Sequence, residues 1–382
     1  MRPSAADQSD SITVEAMDDP SDDPTRCAHI DCGPKQCTLT QSSRPQTSHT
    51  TTATNGGKLG LPPIEGESMQ IDSDISDTSS TIDDLSTVVS TIRNYQYENG
   101  RRYHSYRQGQ YFLPNDEREQ DRLNLGHHIF KLIINGDLYR APIPQPQCVL
   151  DLGTGTGLWA IELADILPGS QVIGTDLSPI QSWWWMPPNC RFEVDDAESE
   201  WLFSERGKFD LIHARAMSGS IADWPKLMAQ AYDNLRPGGW FELQDYETVV
   251  LSDDDTVNQA VALREWADLL NSASEKFGKP MLDCMKHRER MIDAGFVDVQ
   301  HEVYKVPMGT WPKDRRLKEL GRYQLYQMLE AVEPFTLALF KRVLRWSQED
   351  IRQLMDRVRA DLCNTKFHLY SRFYFVYGRK PE

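Results

Sequence analysis

Residues 151–157 read DLGTGTG, between an apolar CVL at 148–150 and the run LWAIELADIL at 158–167. A short apolar run, then turn-formers, then apolar residues at Leu158, Ile161, Leu163, Ala164 and Leu167 reads as strand, loop and amphipathic helix. A glycine-rich turn in that place brings backbone N–H groups and a helix N-terminus against a ligand. The glycines Gly153, Gly155 and Gly157 are spaced G-x-G-x-G, whereas the dinucleotide fingerprint is G-x-G-x-x-G. Asp151, at the strand end, would repel a pyrophosphate and attract a cation. The loop therefore predicts a small polar ligand with a positive charge, and disfavours a nicotinamide dehydrogenase.

Working outward, the alternation continues. QVIGTDLS, RFEVDDAE, FDLIHARAM and GWFELQDYE read as strands. WPKLMAQAYDNLRPGGW reads as a helix ended by Pro237 and two glycines. Strands that are apolar without alternation indicate a parallel sheet covered on both faces. The second strand ends in Asp176, 19 residues after Gly157, where a carboxylate can accept hydrogen bonds from both hydroxyls of a ribose. The third ends in DDAE, where a carboxylate such as Asp196 can take the exocyclic amine of an adenine. One nucleoside with a cationic tail satisfies all three acids: S-adenosylmethionine.

The flanks differ sharply in composition. Residues 1–90 hold 5 Lys/Arg against 15 Asp/Glu and no Phe, Trp or Tyr, so the chain's negative charge is concentrated there. Such a segment buries too little apolar surface to offset its ordering entropy, which predicts a disordered acidic tail over 1–92. The remainder, 93–382, reads as one domain: an N-terminal helical cap or lid (93–147), a cofactor-binding core (148–250) and a C-terminal part of helices with a closing strand (251–382). NDEREQDRLNLGHHIFKLII predicts a helix starting near Asn115 or Asp116. FHLYSRFYFVYG predicts the last strand. No basic face offers a grip on a nucleic-acid backbone, no run approaches a membrane span, and the first residues lack a secretory apolar core. Seven cysteines, four of them scattered through the body, predict reduced thiols and an intracellular chain, in nucleus or cytoplasm. The cluster Cys27, His29, Cys32 and Cys37 has no second half, so it reads as incidental thiols and no metal is expected.

The block VLDLGTGTGLWAIELADILPGSQVIGTDLSPIQ resembles motif I and its successor in class I S-adenosylmethionine-dependent methyltransferases. More narrowly, ENGRRYH, LPNDEREQDRLNLGHHIF, GSIADWPKLMAQAYDNLRPGGWFELQDYE and CNTKFHLY resemble the fungal LaeA-like methyltransferases, a family tied to control of secondary metabolism. The similarity runs from about Tyr95 to the C-terminus. It implies a Rossmann-like α/β fold, a mostly parallel seven-stranded sheet with a reversed last strand, helices on both faces, and helical additions at either end. It also implies cofactor contacts at Asp151, Gly153, Gly155, Gly157, Asp176 and Asp196. SWWWMPP, after the second strand, is bulkier than usual for the family.

Methyl transfer is an in-line displacement at a carbon already activated by sulfonium, so alignment and exclusion of water are the main demands. A base is needed only where the acceptor carries a proton that must leave. His213, on the fourth strand, is the candidate base, the alternative being a satisfied buried strand histidine; Asp245, Tyr246 and Glu247 are further candidates. Tyr103 and Tyr111 are expected to close over the cofactor as a lid. Trp159 is expected to pack on the sheet, and Trp183, Trp184 and Trp185 to stack an aromatic group or to pack. No NPPY or DPPY tetrapeptide is present, which argues against a nucleic-acid base as acceptor. The expected function is methyl transfer in fungal secondary metabolism to a small-molecule or protein acceptor. The alternative is a regulatory member of a transcriptional protein complex that binds the cofactor with little turnover.

Overall fold

The computed structural model describes residues 95–382 apart from 105, 108, 182–185 and 204–207. The acidic tail, the Cys27–Cys37 cluster and Trp183, Trp184 and Trp185 lie outside the described residues. The chain opens with β1 (Gln96–Glu98) and β2 (Arg101–Tyr103), an antiparallel hairpin. Its turn is Asn99-Gly100, both at positive φ (54° and 77°), the geometry that lets a two-residue loop follow the strand twist. This hairpin occupies the start of the segment expected to be a helical cap.

Helix α1 (Glu117–Ile133) follows, capped by Asp116, whose carboxylate accepts from the Glu119 N–H. The alternating core then runs β3 (Cys148–Leu152), α2 (Leu158–Ile166), β4 (Gln171–Asp176), β5 (Cys190–Val194), β6 (Phe209–Arg215), α3 (Trp224–Asn234) and β7 (Leu235–Tyr246). The C-terminal part comprises α4 (Val261–Phe277), α5 (His287–Asp293), β8 (Val297–Pro307), α6 (Arg315–Leu339), α7 (Gln348–Cys363) and β9 (Tyr370–Arg379). A π-helical turn, Phe340–Leu344, extends α6.

Seven strands form one sheet in the order β5-β4-β3-β6-β7-β9-β8. The first five are mutually parallel, and β9 runs antiparallel between β7 and β8. The reversed strand is therefore the last one in sequence, as expected. Helix α3 ends at Asn234, earlier than the expected Pro237. Leu235 already pairs with Phe209, and residues 236–239 form a bulge before pairing resumes at Trp240 with Leu211. Both faces of the sheet are covered, one by Trp159, Ala160 and Leu163 of α2, the other by Trp224, Leu227 and Met228 of α3. The strand order reverses beside β3: its chain leaves toward β4 on one side and β6 lies on the other. A crevice opens there at the strands' C-terminal ends.

The N-terminal hairpin is tied down by charge. Arg101 donates to both Asp116 oxygens (2.6 and 2.9 Å) and to Glu333 of α6 at 3.1 Å. Asp116→Ala removes a helix cap and a bidentate partner of a buried arginine together. It is expected to lower the unfolding free energy by about 2 kcal/mol, read as a shift of the urea midpoint at constant m. A loss under about 0.5 kcal/mol would mean that this tie does not hold the segment.

Candidate functional site

The loop after β3 can take its path because its glycines can. Gly153, Gly155 and Gly157 have φ of +63°, +58° and +83°, the left-handed region that other residues enter at a cost. Close packing adds a second reason at two of them: a Cβ on Gly153 would stand 2.3 Å from Met217 Sδ, and one on Gly157 2.5 Å from Phe192 Cζ. The turn is pinned to β4 by Thr154 N–H donating to the Thr175 carbonyl at 2.9 Å. It is pinned again by Gly155 N–H donating to Asp176 Oδ2 at 2.9 Å.

Asp151 lies beneath this loop, 3% exposed. One oxygen accepts from Thr154 Oγ1 at 2.6 Å; the other is 2.8 Å from His213 Nδ1. The register explains the second contact, since Asp151 pairs with His213 and His213 with Glu242 across β3, β6 and β7. Glu242 is buried, which raises its pKa although the Arg140 and Ala141 N–H groups donate to it.

His213 is 0% exposed and lies flat on Trp159, with ring centroids 3.7 Å apart and planes at 2°. Its Nε2 has no partner among the described residues. It lines neither of the cavities described below. A base must come within hydrogen-bond reach of the proton it takes; His213 lies buried on its strand, bonded to Asp151 and away from both cavities, the placement of the alternative weighed for it. Trp159 packs on the sheet as expected and donates its indole N–H to the Leu138 carbonyl at 2.8 Å.

Two adjoining cavities open over the strand ends. The first, of ≈ 870 Å³, is lined by Asp176, Asp196, Tyr111, Ser178, Glu119 and Lys279 among others. The second, of ≈ 790 Å³, is lined by Asp151, Thr154, Thr156, Arg122 and Tyr246. They share Tyr111, Leu123, Gly153, Gly155, Arg215 and Ala216. Asp176 Oδ1 accepts from the Ser178 N–H at 2.8 Å and Oδ2 from Gly155, which leaves acceptor capacity on both oxygens. Burial pushes its carboxyl up to about 6, the two backbone donors notwithstanding. Asp196 accepts from the Glu198 N–H at 3.0 Å and pairs with Arg107 at 3.4 Å.

The two tyrosines part company. Tyr111 lines both cavities, and burial raises its pKa. Tyr103 is a core residue with Arg342 over its ring at 5.2 Å, pushed up to about 12 mainly by burial, and it lines neither cavity.

Sequence reasoning missed three charged residues here. Arg215, at the end of β6, lines both cavities, stacks over Phe130 at 5.2 Å and has His127 Nδ1 at 2.9 Å. Burial lowers its pKa to about 10, with Asp151 and Glu162 opposing from a distance; among the described residues no carboxylate reaches ion-pair distance. Glu119 and Arg122 form a buried pair on α1 (2.6 to 3.1 Å). Burial works against the Arg122 charge, yet Glu119 outweighs it and the pKa rises. An acid and a base three apart on a helix read as a solvated pair until α6 is seen to cover them.

A family model described as a methyltransferase domain matches residues 125–301. The methyltransferase pytC of Aspergillus terreus is 42% identical over 307 residues, covering 80% of this chain and 93% of that protein. The secondary metabolism regulator LAE1 of Cochliobolus heterostrophus is 38% identical over 297 residues, 76% of this chain and 95% of that protein. The protein-methionine methyltransferase laeA of Emericella nidulans is 37% identical over 294 residues, 75% of this chain and 77% of that protein.

The Asp176 shift has a sign that stability measurements can read. Folded, its carboxyl titrates near 6, against an ordinary 3.8. The native state therefore binds the proton more tightly than the unfolded chain. This group's contribution favours folding below 3.8 and is lost as pH rises to about 6. Asp176→Asn is expected to gain stability over the wild type at pH 7 relative to pH 4 in urea unfolding; a difference independent of pH would refute the assignment.

Proposed function

The chain belongs to the LaeA-like branch of the class I S-adenosylmethionine-dependent methyltransferases, and from that membership we propose that it transfers a methyl group to an acceptor in fungal secondary metabolism. The observation that carries the reading is the set of three carboxylates, Asp151, Asp176 and Asp196, around one glycine loop whose cavities they line. The residues fit the donor. Asp176 keeps a free lone pair on each oxygen for the two ribose hydroxyls, and Asp196 would accept from the adenine amine. Asp151 sets a negative charge under the loop for the ammonium group, and His213 orients it from behind. Arg215, half-buried and without a carboxylate partner among the described residues, would take the methionine carboxylate. Tyr111 closes the edge between the two cavities.

Bound S-adenosylmethionine supplies an electrophilic methyl on sulfur, and the carbon–sulfur electron pair stays on sulfur as the acceptor's lone pair forms the new bond. What the chain does is hold, align and exclude water. The buried His213 does not reach the cavities, whereas Tyr246 lines the second, so an acceptor proton, where there is one, is not taken by His213. A second reading, a regulatory protein that retains the cofactor site, is supported by the name of the 38% identical LAE1. The name of the 37% identical laeA supports a protein acceptor.

Calorimetry on the full chain tests the donor site. Asp176→Ala is expected to weaken S-adenosylhomocysteine binding at least about a hundredfold, roughly 2.7 kcal/mol. Arg215→Gln is expected to weaken S-adenosylhomocysteine about tenfold while leaving 5′-methylthioadenosine, which lacks the amino-acid tail, within about twofold. Equal losses for both ligands would remove Arg215 from the carboxylate. Absence of binding by the wild type would remove the reading itself. Tritiated-methyl transfer into cell extract then separates the readings by whether label enters small molecules, protein or neither.

A further inference from the structure

Beyond the two cavities over the glycine loop lies a third, of ≈ 630 Å³, between α4, α6 and β9. It adjoins the second: Arg122, Gly126, Phe130, Tyr246, Gln327 and Phe335 line both. The two thus meet along a boundary that these residues line from both sides. The far walls of the third are mostly apolar, with Trp266 and Leu270 from α4, Met328 and Ala331 from α6, and Val250 and Phe373, and Gln324 and Thr248 add polar groups.

The charged groups at this cavity are all compensated. Glu247 accepts from Arg372 at 2.6 and 2.9 Å and from the Tyr374 hydroxyl at 3.2 Å. Arg122 is held by Glu119. Its Nη1 also reaches the Gln327 amide oxygen at 2.8 Å in the amide orientation that satisfies both groups. Trp266 spends its indole N–H on Thr336 Oγ1 at 2.8 Å. Two polar side chains are left over: Gln324 on α6, 4% exposed, lines the cavity with no side-chain hydrogen bond among the described residues, and Ser371 on β9, 2% exposed, has a buried hydroxyl with no partner among them. A buried hydroxyl without a partner is unfavourable by about 1–3 kcal/mol, so this position suits a ligand that completes it.

We propose that this third cavity binds the methyl acceptor, and that the acceptor is a neutral, largely apolar small molecule with a polar atom that meets Ser371. The assignment rests on the methyltransferase reading above. An ionised acceptor would enter a space whose charges are already paired, with nothing to repay its desolvation. A peptide backbone would bring N–H and C=O groups that each need a partner, and these walls offer few.

The test uses the full-length protein saturated with S-adenosylhomocysteine and two probes of one shape, 2-naphthol and the ionised 2-naphthoate. The expected result is one-to-one binding of 2-naphthol, at least about tenfold tighter than 2-naphthoate. Ala331→Phe, which fills the cavity, is expected to weaken 2-naphthol about tenfold or more while S-adenosylhomocysteine stays within about twofold. Ser371→Ala, which leaves the packing almost unchanged, is expected to weaken 2-naphthol by about threefold to tenfold. Should Ala331→Phe fail to fold, Ser371→Ala decides alone. The proposal is overturned if 2-naphthol does not bind the loaded wild type, if 2-naphthoate binds as well, or if Ser371→Ala binds 2-naphthol unchanged. Failure of S-adenosylhomocysteine to bind the wild type would instead overturn the reading beneath it.

Discussion

The constraint on which the site depends is the backbone of Gly153, Gly155 and Gly157, held at positive φ between two strands. A side chain is excluded twice over at Gly153 and Gly157, by backbone conformation and by Met217 and Phe192. The tight path lets the Gly155 N–H reach the Asp176 carboxylate, which fixes the end of β4 against the loop after β3. The loop thereby brings the strand-end acids into one crevice instead of leaving them as separate polar caps. Any widening of this turn would move Asp176 away from Asp151 and dissolve the arrangement.

Behind the loop, a polar row runs through an otherwise apolar sheet: Asp151, His213 and Glu242 at one register level. Buried charges need partners, and each supplies one for another or draws on the backbone. Thr154 and His213 hold Asp151; Arg140 and Ala141 N–H groups hold Glu242. The flat stack of His213 on Trp159 closes that row from the α2 side. The row reads as support for Asp151, and its burial is what keeps His213 out of the crevice.

The fold was largely legible in the sequence because its signals are periodic and local. Non-alternating apolar strands, the acidic helix start near Asp116 and the aromatic last strand all mark elements that form. The strand order follows from the alternation together with the resemblance. Less local facts were not legible. Asn99-Gly100 does carry a hairpin signal, but its flanks are short and mixed in polarity, so the segment read as part of a helical cap. Helix α3 stops before Pro237 because Leu235 finds a strand partner in Phe209, a tertiary pairing no local rule contains. In the site, the three acids stand on motif positions, whereas Tyr103 and Tyr111 are alike in type and neighbourhood. Only packing separates the core ring from the one at the cavity. Arg215 looks in sequence like any exposed strand-end arginine; its significance is that no carboxylate among the described residues stands at ion-pair distance from it.

Electrostatics divides the three cavities in a way that follows from element order. Carboxylates gather at the ends of β3, β4 and β5, where Asp151, Asp176 and Asp196 face few cations. The end of β6 contributes a cation, Arg215, which lines both, so the first and second cavities each carry both signs. Beyond α1 the balance reaches neutrality, since Glu119 cancels Arg122 and Arg372 cancels Glu247. A buried pair of that kind brings little net stability, because desolvation offsets most of its attraction. Its structural consequence is a boundary without net charge where a polar, acid-rich crevice meets a largely apolar chamber. Interactions across low-dielectric walls fall off slowly, so an unpaired Arg122 would project its charge into both. Pairing confines the strong fields to the strand ends, and leaves the space under α6 to be governed by shape, by the Gln324 amide and by the hydroxyl of Ser371.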